Sequence, residues 1–273
     1  MLIEAGPTTR LGTEGESWLR FGEEPKQEGA WAGRRLLYMR DKPAFELSYW
    51  CGTCQFLFRR LEGANEGSSA EDLSDRMAEG LAHLAPDVIE RFGDLLPAGS
   101  YLPLLIEVAP RLVMPLGDGD YFAREQIETW GVDGFWGLPE YPRTPYYRTF
   151  ETSVDAGAHL YEFVVPMVPP TWNDRSRVEA FAARLRSSSS STAVAVSILD
   201  VCQPADSRGD GDYYAHWGLT HFLLDGHHKM EAGASEGLPL RLLSLLSVDA
   251  SLATPDLVLR VPDLLRKPPA TRI

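Results

Sequence analysis

The sequence of 273 residues predicts an α+β fold, and three segments in its second half indicate this most clearly. Residues 192–201 are rich in β-branched side chains, which are typical of strands. Residues 176–186 place apolar residues at i, i+3, i+4 and i+7, the spacing of an amphipathic helix. Residues 219–224 form a short apolar run that leads into Asp225-Gly226 and a second helix. We therefore expect strands and helices to be mixed along the chain.

The first 150 residues are predicted to form a mixed α/β region of unknown role. Residues 1–30 are polar and rich in glycine and glutamate, so we expect a loose arm there. Two strands, 35–39 and 45–50, flank the turn Asp41-Lys42-Pro43 and predict a hairpin. The elements expected after it are helices near 73–84, 86–92 and 121–130, strands at 101–108 and 112–116, and an ordered loop or domain junction at 134–147.

Residues 151–273 are predicted to form a second domain. Its first strand, 159–165, is stopped by prolines, and helix 176–186 follows with Ser176 and Glu179 at the spacing of a capping box. Glu179 is also a candidate general base, although the cap explains it without chemistry. The remaining elements are a flexible connector at 187–191, strands at 192–201, 219–224 and 238–248, a loop at 204–211, a helix at 229–236 closed by Gly237, and a frayed tail beyond 266.

Composition limits the classes of function. Hydrophobic residues make up 44% and charged residues 24%, which is ordinary for a globular protein with a sizeable core. The formal net charge of -13 opposes a general role in binding nucleic acid, because neutralising phosphates needs clustered Lys and Arg. Three cysteines are too few for a disulfide framework in a chain of this length.

The sequence predicts a cytoplasmic protein that does not enter a membrane. Its start has neither the basic region nor the apolar region of a signal peptide. The most apolar stretch, 102–116, is interrupted by Glu107, Arg111 and several prolines, so it does not read as a membrane span.

The strand-turn-helix at 219–237 is the strongest candidate for a functional site. The first amides of a helix have no partner within the helix, and the helix dipole adds partial positive charge there, so such a terminus binds anions. Gly226 lets the backbone approach a ligand closely, while His228 and Lys229 can donate hydrogen bonds to phosphate oxygens. Asp225 and His227 are the candidate catalytic residues, and either would act as the acid/base group or as the group on the metal side of a bound phosphate. The plainer alternative is that Asp225 caps the helix and the histidines are solvated.

Residues 222–232, FLLDGHHKMEA, resemble the DGHHR-x-x-A signature of the ParB/sulfiredoxin superfamily, which includes free-serine kinases. The resemblance extends over roughly residues 155–250 and implies a ParB/sulfiredoxin-like α/β module whose turn holds nucleotide phosphates. A magnesium ion would then arrive with the nucleotide. The turn contains no cysteine, so the resemblance does not imply sulfinic-acid reduction, and no helix-turn-helix for DNA follows.

Three functions stay open at this point. The first is an enzyme, a nucleotide-dependent phosphotransferase or nucleotide hydrolase, in which phosphoryl transfer depends on positioning and charge neutralisation. The second is a module that senses a nucleotide or another small phosphorylated ligand without chemistry. The third is a thiol redox protein, because Trp50-Cys51-Gly52-Thr53-Cys54 resembles the thioredoxin-type motif. Against the third, Cys51 and Cys54 are explained as half-buried residues of a hairpin, and a zinc site would need a second pair of ligands.

Two further histidines, His216 and His221, lie upstream of the turn and are metal-ligand types. On one strand, positions 216 and 221 point to opposite faces of the sheet. We therefore expect no single metal site that uses both.

Overall fold

The computed structural model describes residues 1–15, 17–25, 28, 33–47, 58–65, 74–127, 142–187, 191–203 and 215–270. It contains both helices and strands, which confirms the α+β fold. The strands are β1 Leu2–Ala5, β2 Thr9–Leu11, β3 Leu19–Glu24, β4 Arg34–Met39, β5 Lys42–Leu47, β6 Phe58–Arg60, β7 Gly99–Val108, β8 Arg111–Val113, β9 Tyr146–Asp155, β10 Ala158–Val165, β11 Thr192–Cys202, β12 Ala215–Asp225 and β13 Leu240–Ser247. The α-helices are α1 Ser74–Glu79, α2 Pro86–Gly93, α3 Arg175–Arg186, α4 His227–Glu236, α5 Pro255–Val258 and α6 Val261–Leu264, and a π-helical turn covers Tyr121–Glu125.

Nine of these strands form one mixed sheet in the order β1-β7-β13-β11-β12-β10-β9-β8, with β2 also beside β7. The pairs β10–β12 and β11–β13 are parallel and the others are antiparallel. Strands β3 to β6 form a second, antiparallel sheet. Among the described residues, no helix is long and apolar enough to cross a membrane.

The large sheet is covered on both faces, so its strands are apolar on both sides. Successive side chains of a strand point to opposite faces, and each face here has its own core. The small sheet, α2 and the π-helical turn pack on one face. Helices α3, α4, α5 and α6 pack on the other, where they contribute Val178, Met230, Val258 and Leu264. The turn after β12 therefore lies at the end of a strand buried on both faces.

The large sheet also curves back on itself. Only Ala109 and Pro110 separate β7, which pairs with β13, from β8, which pairs with β9. The three Cα–Cα steps from Val108 to Arg111 span about 11 Å at most, so β8 and the neighbouring β9 must lie close to the end of β7, although four strands separate β7 from β9 in the sheet order.

The expected boundary between residues 150 and 151 falls inside β9. Strands β1, β2, β7 and β8 come from the first 145 residues, and they share the large sheet with β10 to β13. The two expected regions are thus joined by a continuous ladder of backbone hydrogen bonds.

The structure corrects several expected elements and confirms others. The hairpin of β4 and β5 is confirmed, with its turn at Arg40 and Asp41, which both have positive φ. The loose arm expected at 1–30 instead contains three strands, because its backbone pairs with β7 and β4. The tail beyond 266 is also held: Ala270 N–H donates to the carbonyl of Glu151. Strand β9 was not expected, since its residues show no alternation.

Candidate functional site

The turn after β12 has the backbone geometry of an anion site. Gly226 is the N-cap of α4 with φ of 99°, and no side chain caps the helix. The first hydrogen bond of the helix runs from Met230 N–H to the carbonyl of Gly226 at 2.8 Å. The amides of residues 227, 228 and 229 therefore have no acceptor within the helix, and their partial positive charge gathers at one point. The alternative in which Asp225 caps the helix is wrong.

Asp225 instead pairs with Lys229. The Lys229 ammonium is buried and donates to Asp225 Oδ2 at 2.8 Å and to the carbonyl of Thr192 at 2.9 Å. Burial lowers the pKa of Lys229 although Asp225 opposes this shift. The Lys229 ammonium thus holds the end of β12 against the start of β11, and its charge acts on the turn from beneath the surface.

The two histidines hold the segment that joins β10 to α3. His227 Nε2 accepts a hydrogen bond from Met167 N–H, and His228 Nε2 accepts one from Asp174 N–H, each at 3.1 Å. A ring nitrogen that accepts carries no proton, so the proton of each neutral ring lies on Nδ1. Burial lowers the pKa of both rings. The expectation that the histidines are merely solvated is therefore wrong.

A second set of contacts fixes the same segment, and no local pattern in the sequence indicates it. Glu231, one turn into α4, accepts from Asn173 Nδ2 at 2.7 Å and pairs with both terminal nitrogens of Arg175. Asn173 Nδ2 also reaches the carbonyl of His227 at 3.4 Å. These residues are distant in sequence and of common surface types, so only the packing of α3 on α4 brings them together.

The N-terminus of α3 differs from the expected capping box. Its N-cap is Asp174, whose Oδ1 accepts from the amides of Ser176 and Arg177. Ser176 lies inside the helix and donates its hydroxyl to the same carboxylate. Because the cap is two residues earlier than expected, Glu179 does not stand at the capping-box position. Its side chain is exposed on α3.

The upstream histidines lie on opposite faces of β12, as expected. His216 contacts the Tyr121 hydroxyl in one core, and His221 lies in the other between Glu162 and Ser197. Within the described ranges, no group of three or more metal-ligand side chains is assembled. Residues Cys51 and Cys54 lie outside the described residues. Cys202, which is described, is buried, and burial raises the pKa of its thiol, as in an unreactive core cysteine.

Comparison of the chain with protein-family models, with curated proteins and with solved structures gives no match. The resemblance to the ParB/sulfiredoxin superfamily therefore rests on the sequence motif, and it stays a prediction.

Proposed function

We propose that the N-terminus of α4 binds a phosphate group of a small ligand, such as a nucleotide. The observation that carries this proposal is the uncapped start of α4, where three consecutive amides follow a glycine in the left-handed conformation. Backbone amides at a helix N-terminus and the helix dipole together favour an oxyanion.

The charges around the turn support the same ligand class. Arg177 on α3 lies close enough to lower the pKa of His228 and of Lys229 by its field, after the larger effect of burial. No ion pair of Arg177 appears among the described residues, and the charge of Asp225 is offset by Lys229. Arg177 therefore offers a cation beside the turn in a chain with a net charge of -13.

The site has the side chains for phosphoryl transfer as well as for binding. Asp225 keeps 37% of its side chain exposed, so its carboxylate can accept a proton from an acceptor hydroxyl beside the phosphate. The Nδ1–H of His228 is a donor for a phosphate oxygen. A nucleotide would bring its magnesium ion with it. We therefore place a nucleotide-dependent phosphotransferase or hydrolase first and a sensor of phosphorylated ligands second.

Isothermal titration of the full chain with ATP, ADP, CTP and inorganic phosphate, each with magnesium, tests binding. His228→Glu places a carboxylate at the second helical position, where it would compete with the phosphate, and we expect at least a tenfold loss of affinity. His83→Glu is the matched control, because the His83 side chain is 84% exposed and belongs to another part of the chain. Equal affinity of His228→Glu and wild type, or no binding by wild type, would overturn the proposal.

Turnover separates the two functions. Release of ADP or of a phosphorylated acceptor by wild type, lost in Asp225→Asn while nucleotide still binds, would support the enzyme. Binding without turnover of any nucleotide would support the sensor. The redox hypothesis for Cys51 and Cys54 stays a prediction, tested by the activity of Cys51→Ser.

A further inference from the structure

The segment 167–174 between β10 and α3 is tied to α4 by two imidazole rings. One bond lies at each end of the segment: Met167 N–H donates to His227 Nε2, and Asp174 N–H donates to His228 Nε2. Between them lies the 3₁₀ turn Pro170–Trp172, whose Trp172 is 59% exposed. The segment is therefore tied to the first turn of α4 through the ring nitrogens of His227 and His228.

The other contacts of this segment do not depend on the state of the rings. Arg60 on β6 donates from Nε to the carbonyl of Met167 at 3.1 Å. At the other end, Glu231 holds Asn173 and Arg175. Loss of the two imidazole bonds would therefore loosen the segment without detaching α3 from α4.

An imidazole can accept a backbone N–H only while the accepting nitrogen lacks a proton. In the imidazolium both nitrogens are donors, so a protonated His227 or His228 would direct an N–H at the N–H of Met167 or Asp174. We propose that protonation of His227 and His228 releases segment 167–174 from α4, which makes this segment an acid-sensitive strap on the first turn of the helix. The proposal does not depend on the phosphate site.

Charged groups from every neighbouring element face the two rings. Carboxylates favour the protonated rings, whereas cations and the neighbouring ring oppose them. The carboxylates are those of Asp225 on β12, Glu231 on α4 and Asp174 at the start of α3. The cations are Arg177 on α3 and Arg60 on β6, which contacts the carbonyl of Met167. Burial outweighs the carboxylates and lowers the pKa of both rings, that of His227 to about 4.

The direction of the pH effect follows from these lowered values. A histidine whose pKa is lower in the folded state than its ordinary 6.5 stabilises the fold fully above pH 6.5. That contribution declines as the pH falls from 6.5 towards 4, because the open segment takes up protons that the closed one excludes. The segment is therefore held against α4 at neutral pH and is released in acid.

Hydrogen–deuterium exchange followed by NMR on the full chain measures this opening directly. Between pH 7 and pH 4.5 we expect the protection factors of the Met167 and Asp174 amides, corrected for intrinsic exchange, to fall at least tenfold. The amides of Ala215 and Ala253, which donate to the carbonyls of Gly157 and Leu199, are controls and should not change. The Asp174 carboxyl stays ionised in this range, because hydrogen bonds from Ser176 and Arg177 lower its pKa.

Glutamine variants distinguish protonation from general acid destabilisation. His227→Gln/His228→Gln offers amide oxygens that accept a hydrogen bond and do not titrate, so protection should persist at pH 4.5. If the double variant does not fold, His228→Gln alone should remove the pH dependence at Asp174 and leave it at Met167. Wild-type protection that is constant with pH, or pH dependence that is unchanged in the variants, would overturn the proposal. The ¹⁵N shift of each Nε2 should also show an unprotonated nitrogen at pH 7.

Discussion

At the scale of single residues, the site depends on Gly226 for two separate reasons. Its φ of 99° lies in the region that L side chains rarely adopt. A Cβ added there would also lie 2.6 Å from the Cβ and 2.9 Å from the Cα of Ala193 on β11. Gly237, the C-cap of α4, has a φ of 65° but no atom within 4 Å of such a Cβ. A comparison of the two glycines therefore distinguishes the cost of backbone strain from the cost of steric clash.

We predict that Gly226→Ala destabilises the protein clearly more than Gly237→Ala. Gly237→Ala should cost about 1 kcal/mol from the left-handed conformation alone. Gly226→Ala adds the overlap with Ala193, where overpacking typically costs about 1–3 kcal/mol more. Urea unfolding of the three proteins at pH 7 measures both changes.

The double variant Gly226→Ala/Ala193→Gly is the control for the clash. It should recover part of the loss, because the overlap with the Ala193 Cβ is removed while the 2.9 Å contact with the Ala193 Cα and the strained φ remain. Equal destabilisation by Gly226→Ala and Gly237→Ala would contradict the steric part of the account.

At the scale of elements, a buried polar row crosses five neighbouring strands. His221 on β12 contacts Glu162 on β10 at 3.2 Å and Ser197 on β11 at 2.6 Å. Ser244 on β13 donates to Ser197, and Thr149 on β9 donates to Glu162. Thr149 is the extra residue of a bulge between β9 and β10, which turns its hydroxyl towards Glu162. These side chains satisfy the hydrogen-bonding capacity of the buried Glu162 carboxylate within an apolar layer. They also favour a single register of the paired strands.

We predict that Glu162→Gln reduces the dependence of stability on pH below 4.5. Burial alone would raise the pKa of Glu162, but its hydrogen bonds with His221 and Thr149 lower it below the ordinary 4.5. A carboxyl with a lowered pKa stabilises the fold above its ordinary pKa, and this stabilisation disappears as the pH falls through the folded value. Thermal unfolding between pH 3 and pH 6 should therefore show a shallower slope for the variant.

Glu90→Gln on the exposed side of α2 is the matched control and should keep the wild-type slope. A slope for Glu162→Gln that equals that of wild type would mean that Glu162 contributes nothing to acid sensitivity.

At the scale of the whole molecule, one buried ion pair joins the two sheets. Arg35 on β4 of the small sheet binds Asp200 on β11 of the large sheet through both terminal nitrogens, at 2.8 and 3.0 Å. Both side chains are almost fully buried. Asp200 Oδ1 also accepts from the amide of Leu252, so this carboxylate ties a third segment to the pair. Asp200 is thus a structural residue and lies away from the turn at Asp225.

We predict that Arg35→Met costs about 3–5 kcal/mol, because it leaves the Asp200 carboxylate buried without its partner. Arg34→Met at the neighbouring position is the matched control. Arg34 is partly exposed, and its partner Glu46 keeps Arg59, so its loss should cost less than about 1 kcal/mol. Denaturant unfolding measures both values, and similar costs for the two variants would contradict the role given to the buried pair.

The elements that the sequence predicted correctly are those with local signals. Helix α3 showed helical periodicity, α4 followed a strand and a glycine turn, and the β4–β5 hairpin had turn residues between apolar runs. Strands β1, β2 and β9 lacked such signals, because their stability comes from pairing with distant strands. The observed bounds of several elements differ from the predicted bounds by a few residues for the same reason.

By itself, the sequence determined the turn 225–229 and the glycine that it requires, since strand, glycine and helix are adjacent in the chain. Only the tertiary structure decided what the side chains of that turn contact. Lys229 points inward to Thr192, and the two histidines accept backbone amides of segment 167–174, about 60 residues earlier. The physical reason is that backbone conformation is set largely by neighbours in sequence, whereas hydrogen-bond partners and pKa values are set by whichever segments the fold packs nearby.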